Sequence, residues 1–219
     1  MPRMSARKTA MATALAGAVA LSSLAFCASA FGDEASDVFA LKNRFEHTLT
    51  EVPASEREAT LEALAEDATA LAEAHPDSAD ALIWQGIVLA SYARERGGLG
   101  ALGDAKNARK ALERAIKIDP NGNAGSAYVT LGALYDRVPG GLIGFGDSDT
   151  AERMFQRALE IRPDGIDVNY YYATFLAEEG DTQAAQEHAR RAVSGTARDT
   201  RQVSDEALRR KAKTLFDTL

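Results

Sequence analysis

From about residue 35 onward, apolar positions recur every three to four residues, and no stretch alternates in period two. Alanine, leucine, glutamate and arginine dominate, a composition that suits helices and leaves strands without their β-branched residues. The spacing predicts helices over 35–49, 55–74, 78–96, 104–118, 124–137, 148–161, 167–179, 182–193 and 204–218. The chain is expected to be all-α.

Three of these helices stop in the same way. "AEAHPDSADA", "IKIDPNGNAG" and "LEIRPDGIDV" each place a proline after a charged amphipathic helix and before a fresh start. Pro76, Pro120 and Pro163 stand 44 and 43 residues apart, the regularity of a repeated helix pair. In the best-formed unit Tyr128, Leu131, Gly132 and Tyr135 give aromatic-x2-Leu-Gly-x2-Tyr, and Ala151, Phe155 and Ala158 follow before Pro163. The preceding unit carries Gly86, Ala108, Leu112 and Ala115 at matching offsets. The following one carries Ala173, Gly180, Ala185 and Ala192 without a closing proline. Small residues at Gly86, Ala108, Gly132, Ala151, Ala173 and Ala185 would let paired helices approach closely.

This pattern resembles the tetratricopeptide repeat (TPR). The resemblance implies a right-handed α-solenoid of helix-turn-helix repeats over 35–76 (degenerate), 78–120, 124–163 and 166–196, closed by a capping helix over 204–218. Ser204 is read as that helix's N-cap, with Leu208, Ala212, Leu215, Phe216 and Leu219 on one face. Trp84 is out of register, because the first aromatic of the repeat should fall at Leu82. Either the register near Gly86 is imperfect or Trp84 packs on a neighbour outside the pattern.

A tetratricopeptide repeat is about 34 residues long, so the longer periods imply insertions. Ten extra residues fall in "RERGGLGALG" and seven in "RVPGGLIGFG", both between the two helices of a unit. A glycine-rich loop before a helix can cradle a phosphate. A P-loop also needs a preceding strand and a lysine and hydroxyl after its last glycine. Here no strand precedes Pro139, and Asp147, Ser148 and Asp149 follow Gly146, placing negative charge where a phosphate would sit. The loop is read as a long turn whose Asp147 or Ser148 caps the next helix. Leu142, Ile143 and Phe145 are read as packing toward the array, with at least one of them available to a partner. "VPGGLIGFGD" and "RPDGIDVNYYYATFLAEEG" are similar to exported repeat proteins grouped as T components of TRAP-type solute transporters. That similarity implies an accessory subunit able to bind a ligand, such as a small apolar molecule under the inserted loops.

The N-terminus changes the picture of location. Arg3, Arg7 and Lys8 precede an apolar run that ends on Ala28 and Ala30 at A-x-A spacing, the layout of a secretory signal peptide over 1–30. Cleavage after Ala30 leaves a domain over 31–219 that is periplasmic or secreted. "LAFC" resembles a lipoprotein box ending at Cys27, but the bulky Phe26 departs from the small residue such a box carries, so soluble release fits better. Cys27 is the only cysteine, and with the leader gone no thiolate site or disulfide is available. The full chain has 32 acidic against 25 basic residues, and losing the leader makes it more acidic still. That balance argues against a nucleic-acid surface, and no segment is long and apolar enough to span a membrane.

Little else suggests chemistry. His47, His75 and His188 are scattered, with neither metal-ligand spacing nor a nucleophile beside them, so no cofactor, no metal and no catalytic residue is expected. The resemblance points the first helix of each repeat at a groove, lined by Ile83, Ile87, Ser91, Val129, Ala133, Asp136, Tyr170, Thr174 and Glu178. Such a surface, apolar in the middle and acidic at one side, suits a protein or peptide partner in the cell envelope with apolar anchors and a basic flank. It lacks the lysine and arginine cluster that would clamp an acidic C-terminus. The expected role is a non-enzymatic scaffold or adaptor, the alternative being the ligand-binding transporter subunit.

Overall fold

The computed structural model describes residues 33–219, so the leader, its cleavage after Ala30, the mature start at Phe31 and Cys27 lie outside the described residues. Nine α-helices and no strand occur among the described residues. They are α1 (Glu34–Thr50), α2 (Ala54–Ala74), α3 (Ala79–Arg96), α4 (Ala101–Ile118), α5 (Gly122–Arg137), α6 (Ser148–Ile161), α7 (Ile166–Glu178), α8 (Thr182–Ser194) and α9 (Gln202–Thr218).

The helices pack as consecutive pairs, α1 with α2, α3 with α4, α5 with α6 and α7 with α8. Each first helix of a pair also touches the first helix of the next, and each second helix touches the first helix that follows it. The result is an all-α solenoid. Its core is contiguous from α1 through α5 and continues between α5, α6, α7 and α8.

The small residues of the repeat pattern sit where helices meet. Ala108, Ala151, Ala173 and Ala185 are wholly buried. A Cβ placed on Gly86 would lie 2.4 Å from Leu112 Cγ, so only glycine allows α3 and α4 to approach this closely. Three helix starts are fixed by side chains, the one at Asp147 as the sequence suggests. Ser78 Oγ accepts from the Ala81 N–H at 3.1 Å, Asp147 Oδ1 from Thr150 at 2.8 Å and Asp181 Oδ1 from Ala184 at 3.0 Å. Each such cap is worth about 0.5–2 kcal/mol.

Trp84 is completely buried and meets Phe45 of α1 edge-on, with ring centroids 5.8 Å apart. Its displacement from the repeat pattern thus has a packing reason, since it fills the junction with the preceding, degenerate pair.

Three details differ from the sequence reading. The extra residues of "RERGGLGALG" go mostly into helix, because α3 and α4 both run for 18 residues and leave only Gly97–Gly100 between them. Arg96 Nη1 and Asp104 Oδ2, 3.1 Å apart, tie these extended ends together. The regular part of α5 begins at Ser126, not at Ala124, because Asn123, Ala124 and Gly125 all have positive φ (48°, 49° and 77°). Ser204 is not an N-cap: α9 starts at Gln202, and the Ser204 side chain reaches another helix.

Candidate functional site

The first helices turn one side toward a shared inner face. Of the nine residues predicted to line it, Ile83, Ile87 and Val129 are core residues, no more than 6% exposed. α3 is packed against α1, α2, α4 and α5, which encloses its apolar side chains on nearly every side. Ser91, Ala133, Asp136, Tyr170 and Thr174 are half-buried, and Glu178 is exposed. The accessible strip therefore runs along the C-terminal halves of α3 and α5 and along α7 from Tyr170 to Glu178.

Arg137 links two of these helices, its Nε 2.9 Å from Asp136 and its Nη2 2.9 Å from Glu178. Burial pushes the Asp136 carboxyl above the usual carboxylate range, and Glu178 and Glu179 add to the push while Arg137 opposes it. Burial and the neighbouring Tyr171 raise the Tyr170 hydroxyl, and Arg137 and Arg94 pull the other way. The Tyr170 and Tyr171 rings meet at 5.2 Å, whereas Tyr172 is buried against Phe155 and Phe175. The strip is acidic on α5 and α7, and Arg94 of α3 brings positive charge near Tyr170.

The other half of the inner face is crossed by the chain itself. After α8, residues 195–201 pass over the first helices and enter α9 through a 3₁₀ turn at Asp199–Arg201. Arg198 Nη2 lies 2.6 Å from Asp205 Oδ1 and 2.9 Å from Asp167 Oδ2 on α7, while Nη1 donates to Ser126 Oγ on α5 at 3.3 Å. Arg201 Nε meets Glu46 on α1 at 3.3 Å, and its guanidinium lies 5.5 Å from the Trp84 ring centroid. Ser204 completes the contact, its N–H and hydroxyl donating to the two oxygens of Glu46 at 3.0 and 2.8 Å.

Asp167 is the centre of this network. Burial would raise its pKa, but the guanidiniums of Arg198, Arg162 and Arg201 outweigh burial and hold it below the usual carboxylate range. Burial likewise disfavours the charge on Arg198, yet hydrogen bonding to Asp205 and the charge of Asp167 push its pKa up. Sequence reasoning missed these residues, although a signal existed. Ser126 and Asp167 each lie three residues before a predicted groove position, Val129 and Tyr170, and so continue the same helix face by one turn.

The second glycine-rich loop, Val138–Asp147, folds back on itself. Gly146 N–H donates to the Pro139 carbonyl at 3.0 Å and Asp147 N–H to the Tyr135 carbonyl at 2.9 Å, so these amides are committed to the loop and do not form an anion cradle. A Cβ on Gly146 would come within 1.8 Å of the Val138 carbonyl oxygen, which explains the glycine there. Phe145 is anchored, 5.4 Å from the Tyr135 ring and under the Arg109 guanidinium at 4.4 Å. Leu142 and Ile143 are not tucked against the array: both are fully or largely exposed.

Among the described residues no group of three or more His, Cys, Asp or Glu is placed to hold a metal. His188 instead bonds Asn169 at 2.8 Å beneath Tyr172, and burial, then Arg191, lowers its pKa. No described helix is long and apolar enough to cross a membrane.

The fold is similar to that of TTC0263, a thermophilic TPR protein from Thermus thermophilus, with a TM-score of 0.60 at 15% identity over 84% of this chain and 81% of that one. Weaker likenesses are to a Thermobaculum terrenum O-GlcNAc transferase mutant (TM-score 0.49, 20% identity, 75% of this chain and 27% of that one) and to MamA (0.46, 16%, 85% and 90%). The first likeness supports the solenoid fold. No curated protein matches the sequence. The family description of TRAP transporter T-components (TAtT) matches residues 40–218, and the chain belongs to that family.

Proposed function

We propose that this protein is a non-enzymatic scaffold of the cell envelope that holds a protein or peptide partner for a TRAP-type solute transporter. The partner lies along Ser91, Ala133, Asp136, Tyr170, Thr174 and Glu178, with the loop tip Leu142–Ile143 as a second contact. The observation that carries this reading is Asp136. Its carboxylate is only 12% exposed and loses by burial, yet it faces the accessible strip beside Tyr170's helix, where a partner's basic group would restore what burial costs. Binding of a small apolar ligand under the loops is the weaker reading, because Leu142 and Ile143 point outward and roof no cavity.

A photo-crosslinking residue at position 170, and separately at 142, tests the proposal in cells that make the transporter. Capture of one defined transporter component from both positions, lost with Asp136→Lys, is the expected result. Capture of different proteins from the two positions, or insensitivity to Asp136→Lys, counts against it.

A further inference from the structure

The segment that crosses the inner face is held in an unusual way for a part of a helical core. Ser194, Thr196, Asp199, Thr200, Gln202 and Val203 are exposed, Gly195 is buried and Ala197 half-buried, and the segment's side-chain polar contacts run through Arg198, Arg201, Ser204 and Asp205. The floor beneath supplies Glu46 from α1, Trp84 from α3, Ser126 from α5 and Asp167 from α7. One arginine is bonded to a carboxylate and a hydroxyl, and the other to a carboxylate with its guanidinium near an indole ring. Guanidinium forks and aromatic faces are complementary in this way, and lysine does not substitute for arginine in such a site.

Two further features belong to the same floor. Its hydrogen-bonding capacity is not filled: Trp84 Nε1 and Arg162 Nε and Nη1 are buried with no partner among the described residues. The backbone directly before Ser126 is also strained, with Asn123 and Ala124 in the left-handed region. Such strain is disfavoured for residues with a Cβ. Asn123 Nδ2 donating to Asp80 at 2.9 Å and Ser126 Oγ donating to the Asn123 carbonyl at 2.7 Å hold this conformation.

We infer that this floor is a recognition surface for arginine-bearing protein segments, and that residues 195–205 occupy it as an internal ligand. The partner it fits carries two arginines three positions apart with an acid downstream, as Arg198, Arg201 and Asp205 do. Its backbone carbonyls would add acceptors for the unfilled donors. Binding requires the internal segment to leave, which its mainly polar anchoring allows, so the contact is autoinhibitory. The inference deepens the scaffold reading by naming a partner chemistry and rests on it for the role of the inner face.

The test uses the full chain. In Arg198→Gln/Arg201→Gln the internal segment loses its two guanidinium anchors and keeps the Ser204–Glu46 contact, while the floor is untouched. A fluorescent, end-blocked peptide of residues 196–206 should bind this variant at least tenfold more tightly than wild type, read by anisotropy. The same peptide with both arginines replaced by glutamine should not bind, and Asp167→Asn on the floor should abolish the gain. Trp84 is the only tryptophan in the chain, so its emission should shift to the red in the variant and return when the peptide is added. Should the double variant fail to fold, a four-residue Gly-Ser insertion between Gly195 and Thr196 weakens the internal contact without changing any contacting residue, and carries the same expectation. A folded variant that binds the arginine peptide no better than the glutamine one overturns the inference. Crosslinking at position 170 is measured in parallel. Its persistence when peptide binding fails leaves the scaffold reading standing, and its loss when peptide binding succeeds removes that reading alone.

Discussion

A Cβ on Gly132 would lie 2.6 Å from Phe155 Cε1, closer than any side chain tolerates, with Phe155 itself completely buried. The α5–α6 pair is thus built around one missing side chain. Gly132→Leu is expected to destabilise by at least the 1–3 kcal/mol or so typical of overpacking. Gly132→Leu/Phe155→Ala should recover part of that loss in a denaturant melt. Failure of the double variant to recover anything would mean that the strain lies elsewhere.

The loop Val138–Asp147 should separate into an anchor and a tip. Leu142→Ser and Ile143→Ser are expected to change stability by less than about 0.5 kcal/mol, as for exposed sites. Phe145→Ala should cost about 1–2 kcal/mol, because it removes a half-buried ring packed on Tyr135 and Arg109. Thermal melting of the three variants checks this ordering.

Removing residues 204–219 should be far more damaging than loss of a peripheral helix. α9 covers α7 and α8 and also meets α1, and the deletion leaves Glu46 without Ser204 and Arg198 without Asp205. Aggregation or a broadened, uncooperative melt is expected. A sharp melt at the parental temperature would show that the inner-face network is dispensable.

Asp167 and Asp136 predict opposite responses to acid. The folded-state pKa of Asp167 is lowered, so its contribution is present above the unfolded value of about 3.9 and is lost as pH falls through the lower folded value. Asp167→Asn should reduce stability at neutral pH and flatten the acid limb of the stability curve below about pH 4.

The folded-state pKa of Asp136 is raised, so its charged form costs stability at neutral pH and protonation on mild acidification relieves that cost. Asp136→Asn should therefore raise the melting temperature at neutral pH while weakening partner capture. A lower melting temperature would mean that the Arg137 contact outweighs burial.

Helix periods, the prolines after helices and the small residues at fixed offsets are local or evenly spaced features. For that reason they fixed the all-α solenoid, the pairing of helices and the close approach at Gly86 and Gly132 from the sequence alone. The site was legible only in part. Periodicity says which residues share a helix face, so Tyr170 and Glu178 could be placed on one, and the repeat resemblance turned that face and Asp136 of the preceding first helix toward a common groove. Whether a position on that face is open or enclosed depends on how many neighbours the helix has, and that is why Ile83, Ile87 and Val129 proved to be core. The arginine network lay furthest from reach. Arg201 meets Glu46 across 155 positions of chain and Arg198 meets Ser126 across 72, in a segment with no repeat signal. Only the closing of α9 against α1 and α7 brings those charges together, where low solvent exposure makes each pairing count.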